Sequence, residues 1–293
     1  HIYTYIASKM QVETVEHRYL SCYNSSMKQA RLPTIPAADI YKALIHTPAG
    51  KSLRASLRYS PFRHNEEDKG HWRKMLGPSA ITYSHMKHVY KLTKRALLHE
   101  QKISHKLFSR MEQETLLLAA LCHDFGEAIL DDKSVGDVPA PKKRALDEKI
   151  EQRVFKQVLK SLNLNSKLKS KMWMSYREVC HNKKSRLYKF FHFIEHIDYM
   201  DTGLTTYKNL ASGKNKLKRG KHLIGQILAF SIPVLANSDH NHNSTHHFLR
   251  TREEKISEMF KYCIVEYRKA EKLKRVILGI DVAVVTWQNY LKS

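Results

Sequence analysis

Leu116-Leu117-Leu118-Ala119-Ala120-Leu121-Cys122-His123-Asp124-Phe125-Gly126-Glu127 joins an unbroken apolar run to a histidine and two carboxylates. We read the run as an apolar helix with metal-ligand side chains at its end. An imidazole and two carboxylates beside an apolar stripe are costly to desolvate unless they are paired, hydrogen-bonded or metal-bound. A divalent cation would compensate them.

Outward from this stretch the helical period continues. Val89, Leu92 and Ala96 recur on one face from about Thr82 onward, and Ile150, Val154, Val158 and Leu159 repeat the pattern downstream. Further helices are predicted around 166–181, 185–211, 221–236, 252–270 and 272–291, with Ile224 to Leu235 the most apolar and so the most buried. Sustained β-type alternation is absent, so the predicted fold class is all-α, and no internal repeat is found. Pro33, Pro36, Pro48, Pro61 and Pro78 punctuate the first 80 residues, which read as short helices joined by loops. The expected organisation is a loop-rich helical extension at 1–80, a core at 81–215 and a C-terminal helical extension packed on the core at 216–293. Two connections stand out: 131–143, where Gly136, Pro139 and Pro141 interrupt any helix, and 239–247, a polar, histidine-rich insertion that reads as an exposed linker rather than a site.

The chain of 293 residues is 42% hydrophobic, enough to bury a substantial core. Its 51 Lys+Arg against 28 Asp+Glu give a net charge of +23, which points to an anionic partner, nucleotide or nucleic acid, or to solubility alone. Cys22, Cys122, Cys180 and Cys263 form no CxxC pair, so neither a disulfide framework nor a zinc ribbon is indicated, and a reducing, cytoplasmic setting is expected. Ile224 to Ala236 is too short to span a bilayer, so no membrane is expected as a partner; a homo-oligomer stays open. No signal-peptide pattern opens the chain, and its start at His1 reads as a trimmed or processed terminus.

At helical spacing His123 and Glu127 share a face, with Asp124 about 100° round from it. Two ligands do not make a stable site. Upstream, His85 continues the apolar face of Val89, Leu92 and Ala96, whereas His88 falls with Lys91 and Arg95 and is predicted to face solvent; His88 is the alternative first ligand. Downstream, Asp198 lies on the packed face of Phe191 and Ile194, with His196 and Asp201 as alternatives. Against these stand a satisfied core histidine for His85, one of 18 histidines, and an ordinary surface carboxylate for Asp198. The aromatic run Tyr188 to Phe193 reads as core in preference to a base-stacking platform, while Lys214, Lys216, Lys218, Arg219 and Lys221 are either a phosphate-tracking cluster or a solvated turn.

Over 82–211 the chain resembles the HD-domain metal phosphohydrolases: a distant histidine, an adjacent His-Asp pair and a later aspartate. The 5'-deoxynucleotidase branch is the nearest likeness, through His123-Asp124-Phe125-Gly126-Glu127 and the loop Gly136-Asp137-Val138-Pro139-Ala140-Pro141-Lys142-Lys143. The resemblance implies His85, His123, Asp124 and Asp198 as ligands of a divalent metal (Mn, Co, Mg, Fe or Zn). It gives Glu127 and Asp137 roles toward the attacking water and the substrate, and Lys142 and Lys143 are placed to bind substrate phosphate. That family's substrate-binding arginine has no alignable counterpart; Arg54, Arg58 and Arg73 are candidates. The implied activity is hydrolysis of nucleotide phosphate esters, either 5'-monophosphates or dNTPs. The net charge and the long extensions keep open an HD-type nuclease acting on single-stranded DNA or RNA, and a non-catalytic nucleic-acid-binding protein.

Overall fold

A computed structural model describes residues 31–59, 69–103, 107–128, 141–212, 220–238, 243–269 and 274–292. These residues are helical with no strand, the single β-bridge being Leu57 to Ile81. In order they form α1 Ala37–Ile45, α2 Pro48–Ala55, α3 Lys69–Leu76, α4 Thr82–Ile103, α5 Arg110–Cys122, α6 Pro141–Ser161, α7 Ser166–Tyr176, α8 Arg186–Ala211, α9 Gly220–Ser238, α10 Asn243–Arg250, α11 Glu253–Lys269 and α12 Lys274–Lys292. No described helix is long and apolar enough to cross a membrane.

α5 is the axis on which the site depends. A reciprocal capping box starts it: Ser109 N–H donates to Glu112 Oε2 at 2.8 Å, and Glu112 N–H donates to Ser109 Oγ at 3.3 Å. Leu116 to Cys122 are then buried on every side, because α4, α7 and α8 all pack around the helix. Cys122 is core, its thiol donating to the Leu118 carbonyl. In α4 the buried positions His85, Met86, Val89, Leu92, Thr93 and Ala96 make one stripe at three- and four-residue steps, which lays His85 against the end of α5. Phe190 and Phe191 are buried at the start of α8, as core.

The described residues from Pro33 onward belong to one compact unit. Ile40, Leu44 and Leu53 of α1 and α2 share an apolar cluster with Leu118, Leu121 and Phe125, and with Phe155 and Tyr176 of α6 and α7. The predicted burial of α9 is met: Leu223, Ile224, Ile227, Leu228, Ile232 and Leu235 have no exposed surface, and the helix packs on α8, α11 and α12.

Two expectations need correction. Asn243 to His247, expected within an exposed linker, open helix α10, with Ser244, Thr245, Phe248 and Leu249 buried. The buried Glu100 carboxylate at the end of α4 accepts from Ser244 N–H at 2.7 Å and from Asn243 Nδ2 at 3.3 Å, anchoring a helix start that composition conceals. The second concerns the 131–143 connection, whose last three residues are already the first turn of α6, with Pro141 at the N1 position that proline favours.

Candidate metal centre

At His123 the chain tightens from α-helix into a 3-10 segment, His123–Ala128. At three residues per turn, positions i and i+3 eclipse. Asp124 and Glu127 therefore share a face, not His123 and Glu127 as an α-helical reading predicts. The tight turn needs Gly126: a methyl there would lie inside the side chain of Glu151 on α6. Ser52 of α2 holds the far end, donating to the Ala128 carbonyl at 2.5 Å.

His85 and His123 meet edge to face, with Nε2 atoms 3.0 Å apart. Asp124 completes the group, Oδ1 lying 3.2 Å from His123 Nε2 and Oδ2 lying 3.4 Å from His85 Nε2. His123 Nδ1 is 3.1 Å from the Ala120 carbonyl, and His85 Nδ1 is 2.9 Å from Asp198 Oδ2. In the tautomer that carries its proton on Nδ1, toward the Ala120 carbonyl, His123 turns a free Nε2 lone pair toward His85 Nε2 and Asp124. Two imidazole nitrogens and a carboxylate thus converge on one point. A second proton on either ring is disfavoured, because burial lowers both histidines, His85 to about 4 with Arg58 acting in the same direction and Asp198 against it. A metal ion fits this set. Donors held at roughly 2.1 Å from one ion, at tetrahedral or octahedral angles, stand about 3.0–3.4 Å apart. The three residues can hold a cation, and Asp124, 13% exposed, opens the position toward a cavity.

Asp198 stands one layer behind. It is wholly buried, and its two oxygens meet four partners: Oδ2 faces His85 Nδ1 and Arg58 Nη1 at 3.2 Å, while Oδ1 accepts from Ser79 Oγ at 2.6 Å and lies 2.7 Å from His88 Nδ1. Burial pushes its carboxyl up, and His85, His88 and Arg58 overcome that and hold it well below the usual range. The resemblance implies Asp198 as a ligand; here it lies 2.9 Å from His85 Nδ1, behind the three residues whose ligand atoms converge, where a carboxylate can orient the His85 ring. His88, expected to face solvent, is instead half-buried against Asp198. Arg58 is buried too, with its guanidinium 5.1 Å from the Tyr59 ring centroid and 5.6 Å from that of Tyr199. Tyr59 takes φ of 60°, a left-handed backbone uncommon for a bulky residue, at the turn that sends Arg58 inward. Arg54 and Arg73 are exposed. His196 faces Ser231, away from this group, and Asp201 is 3.4 Å from Arg252.

The cavity beside the centre measures about 260 Å³ and is lined by His123, Asp124 and Glu127 together with Glu148, Glu151 and Glu195. His181, Lys183 and His192 also face it. Glu195 escaped the sequence reading although a signal was present: it precedes Asp198 by three positions and so falls on the same face of α8. Its carboxyl is lowered despite burial, by His192 at 3.7 Å and the nearby His123. Glu148 and Glu151 are likewise one turn apart on α6. Asp137 lies outside the described residues, and Lys142 and Lys143 are placed only as backbone in the first turn of α6.

Comparison with family models, with curated proteins and with solved structures returned no match to this chain.

Proposed function

We propose that the chain is a metal-dependent phosphohydrolase of the HD-domain kind, acting on phosphate esters of nucleotides, as a deoxynucleoside 5'-monophosphatase or a dNTP triphosphohydrolase. The observation that carries this reading is the convergence of the His85 and His123 Nε2 atoms and the Asp124 carboxylate, separated by 3.0–3.4 Å. When bound, a divalent ion there would polarise a phosphoryl oxygen and make a bound water more acidic. His85, His123 and Asp124 would hold it. Glu127, on the Asp124 face of the 3-10 turn, would accept a proton from the attacking water, and Glu195 lines the same cavity. Among the described lining residues, five carboxylates against one lysine disfavour a phosphate ester, which a bound cation would offset. Asp137, Lys142 and Lys143 keep the substrate-side roles that the resemblance gives them.

The test is metal quantification of the purified chain joined to a nucleotide hydrolysis screen. The expected outcome is close to one equivalent of divalent metal and release of phosphate or triphosphate, with His123→Ala and Asp124→Ala each lowering release by at least two orders of magnitude. Less than a tenth of an equivalent, or variants as active as the parent, would sink the reading. The net charge of +23 favours a second reading, an HD-type nuclease acting on single-stranded DNA or RNA. Steeply salt-dependent oligonucleotide binding, about 0.7 log units per log unit of salt for each neutralised phosphate, would mark it.

A further inference from the structure

Asp198 links the metal centre to a second, larger cavity. One of its oxygens faces His85, and the other faces His88 and Ser79, both of which line a cavity of about 590 Å³ between the 3-10 turn Gly77–Ala80, α4, α8 and the start of α11. That volume lies within the range of small-molecule sites, whereas the 260 Å³ beside the metal falls below it. The chemistry of the two also differs. Lys208, Arg252 and Lys255 line the larger cavity against Asp201 and Glu258. Arg252 is 3.4 Å from Asp201, and Glu258 accepts from Tyr207 Oη at 3.3 Å. Among the described residues, neither Lys208 nor Lys255 has an acidic partner. Leu76, Pro78, Leu204 and Ala211 supply an apolar wall opposite these charges. The basic and hydroxyl groups suit a phosphate, and the wall suits the body of the molecule that carries it.

We propose that this cavity binds a phosphate-bearing small molecule, and that its occupancy is felt at the metal centre through His88, Asp198 and His85. The ligand meets Lys208, Lys255 and the Ser79–His88 edge. Any shift of that edge changes how Asp198 holds His85, and so changes metal affinity. The binding half is independent of the catalytic reading above; the coupling half rests on the metal centre.

Calorimetry on the chelator-treated full chain tests the binding half, with inorganic phosphate and deoxyadenosine 5'-monophosphate as probes. Saturable binding is expected, weakened at least tenfold in Lys208→Glu/Lys255→Glu, and changed less than twofold in His123→Ala or in Lys160→Glu, an exposed charge reversal on α6. Absence of saturable binding, equal loss in the Lys160 control, or loss in His123→Ala would overturn the site. For the coupling half, the Mn2+ dissociation constant is measured in a metal buffer with and without deoxyadenosine 5'-monophosphate. A shift of at least twofold is expected, abolished in Lys208→Glu/Lys255→Glu and in His88→Ala. By linkage the metal must change nucleotide affinity by the same factor. A dissociation constant that does not move, or a shift that survives those variants, overturns the coupling. Failure of the chain to bind Mn2+ at all removes the coupling and the catalytic reading together and leaves the anion site to stand on its own titration.

Discussion

Asp198 decides how the centre is held. A carboxylate with no exposed surface is tolerated because it accepts from Ser79 Oγ and Arg58 Nη1 and has His85 and His88 nitrogens within 2.9 Å, and its partner Arg58 is itself buried. Asp198→Asn removes the charge but keeps the shape, and leaves the Arg58 guanidinium uncompensated, at a cost of about 3–5 kcal/mol in unfolding experiments. Metal affinity should fall by about 10–100-fold, the usual effect of losing a carboxylate that orients a ligating histidine. Binding abolished outright, as in His123→Ala, would instead make Asp198 a ligand. Adding Arg58→Met should restore much of the stability without restoring the metal, which separates packing from orientation. His196 makes a second prediction at this scale. Burial, reinforced by His192, lowers it to about 3, and its Nδ1 lies 3.2 Å from Ser231 Oγ. Its folded pKa is depressed, so the unfolded chain takes up a proton that the folded chain refuses. The contribution is intact above about 6.5 and is lost as pH falls from there toward 3, at up to about 1.4 kcal/mol per pH unit. Denaturant unfolding of chelated protein at pH 7 and pH 5 should show a smaller acid loss in His196→Gln than in the parent; equal losses would place the acid sensitivity elsewhere.

The 3-10 segment that ends α5 shows what periodicity reveals and what it hides. Apolar spacing located α7, α8, α9, α11 and α12 within a few residues and marked the buried stripes of α4, α5 and α6 without all of their ends. The group His85, His123 and Asp124 was legible for the same reason: His85 breaks an apolar stripe, and the His-Asp pair ends an apolar helix. The switch from 3.6 to 3 residues per turn was not legible, because it is set by contact with α6 at Gly126 and by the Ser52 hydrogen bond, both remote in sequence. Helix α10 was hidden likewise, its anchor being Glu100, more than 140 positions earlier. Arg58 reaches Asp198 through the backbone turn at Tyr59, which no side-chain period encodes. Gly126→Ala tests the first of these contacts. The added methyl must displace Glu151, whose carboxylate accepts from Tyr176 Oη at 2.7 Å, so about 1–3 kcal/mol of stability should be lost. Metal affinity should fall as well, since Asp124 moves with the turn. Unchanged stability, measured by denaturant midpoint, would mean that α6 yields freely.

Over the whole chain the charge is unevenly placed: a protein of net charge +23 keeps five carboxylates around one cavity of about 260 Å³. Clustered, half-buried carboxylates repel one another more than they do in open water, and a divalent ion bound among them in the native state opposes that repulsion. Metal should therefore stabilise the fold as well as arm the site. A ligand bound only by the native state adds RT ln(1 + [L]/Kd), about 2.7 kcal/mol at a hundredfold excess over Kd. A chain of this size gains about 2–4 °C in Tm per kcal/mol. Mn2+ or Zn2+ at that excess should raise the thermal midpoint by about 5–10 °C over chelator-treated protein, with Asp124→Ala abolishing the rise and Lys160→Glu leaving it intact. Saturation should follow the metal concentration logarithmically, as linkage demands, and not as a general salt effect. A midpoint raised equally in Asp124→Ala, or by monovalent salt at matched ionic strength, would assign the stabilisation to screening of the basic surface and take from the centre its role in holding the fold together.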